Sequence, residues 1–238
     1  MIENNNEQLH YSLKDNCHTC PSAHLCIPGK LPEEDTEVFS SFARKKKILQ
    51  PGEYLCRAGD KVVNLFALRS GTCKVYEISA GGNEKVTGFC FPGDLVALES
   101  IPYEKHNFSV VALSTVCICV LPLKALLALA DKKPTLLHRL LTLASYKMHN
   151  DSCTHLSDSA EQRLAAFLLN LSLRYQRRYC SPTKINLPMS RGDIASMLGL
   201  AAETISRLLK NFEHKEVIAV SRSHIDIVDL QKLKQIAA

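Results

Sequence analysis

Apolar residues follow three successive rhythms along the chain. Between about 44 and 122 they come in short runs, "VNLFALRS", "TCKVYEIS", "KVTGFCF" and "FSVVALSTVCICVL". Glycines punctuate these runs at Gly52, Gly59, Gly71, Gly81, Gly82 and Gly93. Turn signals recurring around short β-type segments predict a β-sandwich or barrel. "AGGNEK" reads as a hairpin tip and "FPGDL" as a tight turn into the next element.

The second rhythm is helical. Pro134 suits the first turn of a helix, and Leu137, Leu140, Leu141, Ala144 and Met148 then recur at three- and four-residue spacing. The stripe continues through Asp151 and His155, so its distal end is polar. A long helix with one apolar stripe, following a β-unit, predicts packing against a second copy of the chain. The competing reading lays it back on its own β-unit.

The third rhythm opens at Ser159, where Gln162 three residues on forms a capping-box signature. Leu164, Phe167, Leu168 and Leu171 give this helix a core face. The hinge falls near 156–159. "YCSPTKINLPMS" reads as a loop or short strand pair, and "VIAVSRSHIDIVDL" alternates as a hairpin.

Inside that last unit, "SRGDIASMLGLAAETISRLLKNF" has the grammar of a helix-turn-helix. Ala195 lets two helices approach, Gly199 permits the turn and Ile205 anchors the second helix. The helices are predicted at about 191–198 and 202–213, with Glu203, Ser206, Arg207 and Lys210 facing outward. Arginine can grip guanine O6 and N7 with two bonds, glutamate can accept from the cytosine amino group, and serine leaves room beside a thymine methyl. Arg191, Lys210, Lys215 and Arg222 suit phosphates, which position without specifying. Charge agrees: from Glu161 to the end there are 12 Lys/Arg against 7 Asp/Glu, which accounts for the whole formal +5. Such a local excess points to a polyanion.

The chain carries 10 cysteines, three of them in "CHTCPSAHLC" from Cys17 to Cys26. The first fifteen residues are polar, without a secretory h-region, and no apolar run has the length of a membrane span. A cytoplasmic protein with no membrane partner is expected, where disulfides are disfavoured and clustered cysteines bind metal or act in redox chemistry. Zinc and iron–sulfur both fit the spacing. Cys56, Cys73, Cys90, Cys153 and Cys180 read as small buried apolar residues. GxSxG, HExxH, P-loop and GxGxxG motifs are absent from the sequence, and no enzyme activity is expected.

Taken together, these stretches resemble the CRP/FNR superfamily of bacterial transcription regulators, and its FNR branch in particular. "CHTCPSAHLCIP" is similar to the branch's N-terminal cluster motif. "LFALRSGTCKVY", "KVTGFCFPGDLVALESI" and "AEQRLAAFLLNLS" are similar to its sensor and linker signatures, and Ser190 to Leu209 is similar to its reading-head motif. The resemblance implies an α+β protein. A cysteine-bearing arm (1–30) precedes an eight-stranded double-stranded β-helix, the jelly roll of cyclic-nucleotide-binding domains (31–132). A dimerisation helix and hinge (133–158) and a winged helix-turn-helix (159–238) follow.

The resemblance also implies a 4Fe-4S cluster on Cys17, Cys20, Cys26 and a fourth cysteine from the sensor. Cys119 fits the family's Cys-x-x-Pro; Cys117, two residues earlier, points to the same face of a strand. His18 and His24 are then loop residues facing solvent. Glu203, Ser206 and Arg207 match the residues that read a TTGAT-type half-site of double-stranded DNA, so a homodimer would bind an inverted repeat and control anaerobic gene expression. Oxygen would dismantle the cluster and weaken the dimer, with Asp151 and Asp158 keeping association marginal. The region of "AGGNEK" corresponds to one that touches RNA polymerase. Where nucleotide-binding members carry an arginine, this chain has Asn107-Phe108-Ser109, so no cyclic nucleotide is expected. The alternative is a zinc-structured or cluster-free regulator of the same fold.

Overall fold

The structure, a computed structural model, describes residues 16–43, 46–152 and 159–238, with the side chains of 149–152 outside the description. A short turn carrying the first three cysteines runs into a 3-10 turn, Ile27–Lys30, and then into α1, Glu33–Phe42. Eight strands follow: β1 (Lys46–Leu49), β2 (Tyr54–Cys56), β3 (Asn64–Ser70), β4 (Cys73–Ile78), β5 (Glu84–Cys90), β6 (Leu95–Val96), β7 (Ser109–Ala112) and β8 (Val116–Pro122). They form two four-stranded sheets, ordered β1-β8-β3-β6 and β2-β7-β4-β5, with antiparallel pairing. The glycine-punctuated rhythm predicted a β-sandwich or barrel, and the eight strands are those that the family resemblance implied.

Strand β8 lies between β1 and β3 and is buried along nearly its whole length. A strand covered on both faces reads as a continuous apolar run, which is why "VCICVL" shows no alternation. Its register sets Cys119 opposite Lys46 of β1 and Ala67 of β3. The β3–β8 register shifts between Leu68 and Ser70, so Arg69 lies in an irregularity of β3. Bulges of this kind re-aim a side chain.

Two helices close the roll: α2 (Leu123–Lys132) and α3 (Pro134–Ser152). Leu126, Ala130, Leu136 and Leu140 complete the roll's core. The α3 stripe therefore divides. Leu137, Leu141 and Met148 are 48%, 62% and 71% exposed, and Ala144 is half-buried beside them, whereas Leu140 is only 8% exposed. Leu140 belongs to the inward face with Leu136, a correction to the single-stripe reading. A 3.6-residue period places 136 and 140 together and 137 and 141 on the neighbouring row. Asp151 lies in α3, but its side chain, Asp158 and the expected hinge are outside the described residues.

The C-terminal unit comprises α4 (Ala160–Arg177), β9 (Lys184–Asn186), α5 (Arg191–Leu198), α6 (Ala202–His214), β10 (Ile218–Ser221), β11 (His224–Ile227) and α7 (Leu230–Ala237). The expected capping box at Ser159 and Gln162 is formed. The stretch "YCSPTKINLPMS" supplies one strand, β9, which joins β10 and β11 in a three-stranded antiparallel sheet. This unit packs on β5 of the roll: Phe89 meets Phe167 at 6.2 Å between ring centroids, within a core shared with Val86 and Phe91. The Val86 amide donates to Ser196 Oγ at 2.9 Å, and Lys74 Nζ lies 3.0 Å from Asp193 Oδ1.

Candidate metal centre and nucleic-acid interface

Cysteines from two segments a hundred residues apart meet at one cavity of about 540 Å³. Cys17, Cys20, Cys26 and Cys119 all line it, together with Ala67, Leu68, Arg69 and Lys46. Cys117, buried in the same strand, is not among the lining residues. Among the described residues, no three His, Cys, Asp or Glu side chains converge tightly enough to hold a single ion. The four thiols instead ring a space.

Burial governs the chemistry of these thiols. It pushes both Cys26 and Cys119 up to about 12, and it raises Cys17 against a hydrogen bond from Ser40. At neutral pH such groups are protonated, so a metal that ligates them displaces protons. A cation faces them. Burial opposes the charge of Arg69, while its hydrogen bond with Cys20 and the negative charge that Cys20, Cys119 and Cys117 carry once ionised outweigh that, and the guanidinium stays charged. The donor set thus fits a thiolate-ligated cluster, whose net negative charge needs a nearby cation in a low-dielectric site.

The turn that presents the cysteines combines its own backbone hydrogen bonds, Ala23 to Cys20 and Leu25 and Cys26 to Ser22, with anchors from distant parts of the chain. Ser22 Oγ donates to the Arg69 carbonyl at 3.0 Å. Leu25 packs against Gly93, whose φ of +98° needs glycine and where a Cβ would lie 2.5 Å from Leu25 Cβ. The histidines are engaged elsewhere. His18 Nδ1 is 3.2 Å from Glu33 Oε1. His24 is half-buried rather than solvent-facing: its Nε2 donates to the Arg177 carbonyl at 2.8 Å and its ring sits 4.7 Å from that of Tyr179. Cys56, Cys73 and Cys90 are buried as expected. Cys180 is exposed, because its segment is the turn after α4 rather than a core strand.

Sequence reasoning missed Arg69 and Arg139. The latter donates from α3 to the carbonyls of the cysteine turn. Its signal was present: an arginine at the inward spacing of Leu136 and Leu140.

The supports of the second site are mostly local. Ser190 and Asp193 form a reciprocal capping box at the start of α5. Gly199 ends that helix in the left-handed conformation, φ +65°, and Ile205 is fully buried. Glu203, Ser206, Arg207 and Lys210 are exposed on α6. Ser206 Oγ already donates to the Ala202 carbonyl at 3.0 Å, so toward an external partner it offers lone pairs. Arg191 is half-buried at the start of α5, with its Nη2 3.5 Å from the Arg222 carbonyl in the β10–β11 turn. That contact links the wing to α5, the helix that precedes the reading helix.

Residues 162–236 match the Crp-like helix-turn-helix domain and residues 46–133 the cyclic nucleotide-binding domain. The chain is 39% identical over 224 residues, 93% of its length and 90% of the relative's, to the fumarate and nitrate reduction regulatory protein of Vibrio cholerae. It belongs to the CRP/FNR family of DNA-binding transcription regulators. Its family members are regulators and not enzymes. The anaerobic regulatory protein of Haemophilus influenzae is 41% identical over 220 residues, 91% of this chain and 86% of that one. Among solved structures, FixK2 from Bradyrhizobium japonicum has a TM-score of 0.72 at 22% identity, covering 82% of this chain and 97% of that one. That likeness shows the CRP/FNR fold, an N-terminal roll joined to a C-terminal helix-turn-helix. Among the described residues no helix is long and apolar enough to cross a membrane.

Proposed function

We propose that this CRP/FNR regulator is a cytoplasmic, oxygen-responsive switch for anaerobic genes. It holds a 4Fe-4S cluster on Cys17, Cys20, Cys26 and Cys119. The observation that carries the reading is the shared cavity: four cysteines from a terminal turn and a central strand line one space beside a buried arginine. Bound there, a cluster would supply an oxygen-labile cross-link between the turn and β8. The chain's own residues do the rest. Ser22, Leu25 and Arg139 dock the turn on the roll and on α3. The exposed row of Leu137, Leu141 and Met148, with Ala144 beside it, meets the same row of a second copy across a two-fold axis. Glu203, Ser206 and Arg207 then read two inverted TTGAT-type half-sites, while Arg191 and Lys210 meet the backbone. Names of relatives support the anaerobic role: fumarate and nitrate reduction regulatory protein, and anaerobic regulatory protein.

Two partners follow from the same reading. The hairpin tip at 79–85, exposed throughout, faces RNA polymerase. Cyclic nucleotides are not bound: Phe108 is buried in the roll's core and Ser109 Oγ accepts from the Ala58 amide, so the segment that would carry the phosphate-binding arginine offers no cation. The test is iron and acid-labile sulfide on protein purified without oxygen, followed by a visible spectrum and DNA titration as air is admitted. About four of each per chain, bleaching in step with lost affinity for the inverted repeat, is the expected result. One zinc per chain, no sulfide and air-insensitive DNA binding would replace the sensor with a structural metal site.

A further inference from the structure

Arg139 makes contacts that a dimerisation helix does not require. It lies on α3 and is only 7% exposed. Its Nη2 donates to the Cys26 carbonyl at 2.7 Å and to the Leu25 carbonyl at 3.1 Å, with the His24 carbonyl at 3.5 Å. Its Nε donates to the Cys26 carbonyl as well, at 3.2 Å. Among the described residues no carboxylate forms an ion pair with it. A buried guanidinium is costly, and here its compensation comes from the backbone of one turn. The geometry is that of a fork: a rigid plane of donors closing on three successive carbonyls. Those carbonyls end the turn held by the Cys26 and Leu25 amides donating to the Ser22 carbonyl.

Cys26 therefore carries two attachments. Its sulfur lines the cysteine cavity, and its carbonyl is held by α3. Neighbouring side chains fix what α3 can do in response. Leu136 and Leu140 key the helix into the roll next to Arg139, and Leu137 and Leu141 stand on the outward row two positions to either side. A helix is stiff over so short a span, so a shift at Arg139 moves the outward row with it.

We propose that Arg139 is the positioning residue that transmits the placement of the Cys26 turn to the dimer face of α3. This rests on the cluster reading above. With the turn pinned by the cysteines, Arg139 holds α3 in the register that presents Leu137 and Leu141. With the turn released, the guanidinium loses its acceptors and that register loosens. A residue that merely stabilises the fold would weaken loaded and stripped protein alike; a relay alters the ratio between them.

The experiment measures the dimer dissociation constant by sedimentation under anaerobic conditions for four samples. These are the native chain and Arg139→Gln, each cluster-loaded and chelator-stripped, with iron and sulfide assayed alongside. The native chain is expected to dimerise roughly tenfold or more tightly when loaded, the scale of an ordinary coupling between sites. In Arg139→Gln that ratio should fall to within about twofold, with iron and sulfide retained. Arg139→Lys keeps the charge but not the fork, and should give an intermediate ratio. An unchanged ratio in Arg139→Gln overturns the inference and leaves the cluster reading intact. A native ratio of one removes the cluster reading and the inference with it. Failure of both variants to take up iron also overturns it, reducing Arg139 to a clamp on the turn.

Discussion

The cysteine turn and the helix-turn-helix both present a short row of working side chains, yet they are held by different means. At Ser190–His214 the supports are mostly local: a capping box at Ser190 and Asp193, a left-handed glycine at Gly199 and a buried anchor at Ile205. At Cys17–Cys26 they come largely from afar. Ser22 rests on β3, Leu25 on the Gly93 turn, His24 on the end of α4, and the carbonyls of 24–26 on Arg139. Mostly local supports make a reader whose shape depends less on the rest of the chain, although α5 also meets the roll at Val86 and Lys74. Distant supports make a segment whose order depends on everything it touches, which is what a sensor requires.

Breaking the cysteine side of this comparison should have the largest effect. Cys119→Ala should lower iron and sulfide from about four per chain to near zero, because it removes the only ring member supplied by the roll. Cys117→Ala, buried but outside the cavity lining, should keep both within about a quarter of native. Equal losses would mean that the cavity geometry does not choose between the two.

Next in size is the outward row of α3. Leu141→Glu places a carboxylate on the face proposed to meet a second copy, and should weaken dimerisation roughly hundredfold, about 3 kcal/mol. The thermal midpoint of the monomer should hardly move, since Leu141 is largely exposed within one chain. Leu140→Glu, one position away, should instead unfold the roll. If Leu141→Glu leaves the dimer intact, the copies meet elsewhere.

The reading helix sharpens the contrast further. Arg207→Ala should cost about 1–3 kcal/mol of DNA affinity and relax specificity at one base pair. Lys210→Ala should weaken binding to all sequences alike and lower the salt slope by about 1. Neither should alter iron content or its sensitivity to air, because α6 makes none of the contacts that hold the cysteine turn. Fluorescence anisotropy on matched and single-substituted sites, at several salt concentrations, separates the two.

The same contrast explains what the sequence revealed. Helices α5 and α6 were legible almost to the residue, because capping, turn and anchor signals are local in sequence. The roll was legible from its glycines. The split of the α3 stripe was not: Leu140 and Leu141 are equally apolar, and only tertiary packing decides that one faces in. Short helices such as α1 and α2 escaped notice because each is ten residues long and is stabilised by docking on the roll. The placement of His24 needed the α4 terminus, far along the chain, to be brought beside it. Residues that hold the turn could be suspected only where they broke a pattern, as Arg139 does on an inward face.

The smallest expected effect lies where the two units touch. Asp193, three residues after the Ser190 cap, closes the capping box of α5 and also pairs with Lys74 of the roll at 3.0 Å. Burial alone would raise its carboxyl, but the Ser190 hydrogen bonds and the Lys74 ammonium outweigh that and hold it below the ordinary carboxylate range. A group whose folded value is depressed stabilises the folded state above its unfolded value, near 4, and that contribution disappears as the pH falls through the folded value. The thermal midpoint should therefore be flat through neutrality with respect to this group and decline below about pH 4. Asp193→Asn should flatten part of that decline while lowering stability at pH 7 by about 1 kcal/mol, the worth of a cap. Lys74→Ala removes the inter-unit pair together with the Lys74–Glu84 pair at 3.1 Å inside the roll, so Glu84→Gln is the control, and the loss beyond that control should be less than about 1 kcal/mol. A larger loss in Lys74→Ala, beyond that control, than in Asp193→Asn would mean that the reading head depends on the roll for its local structure, and the contrast between a locally supported reader and a distantly supported turn would fail.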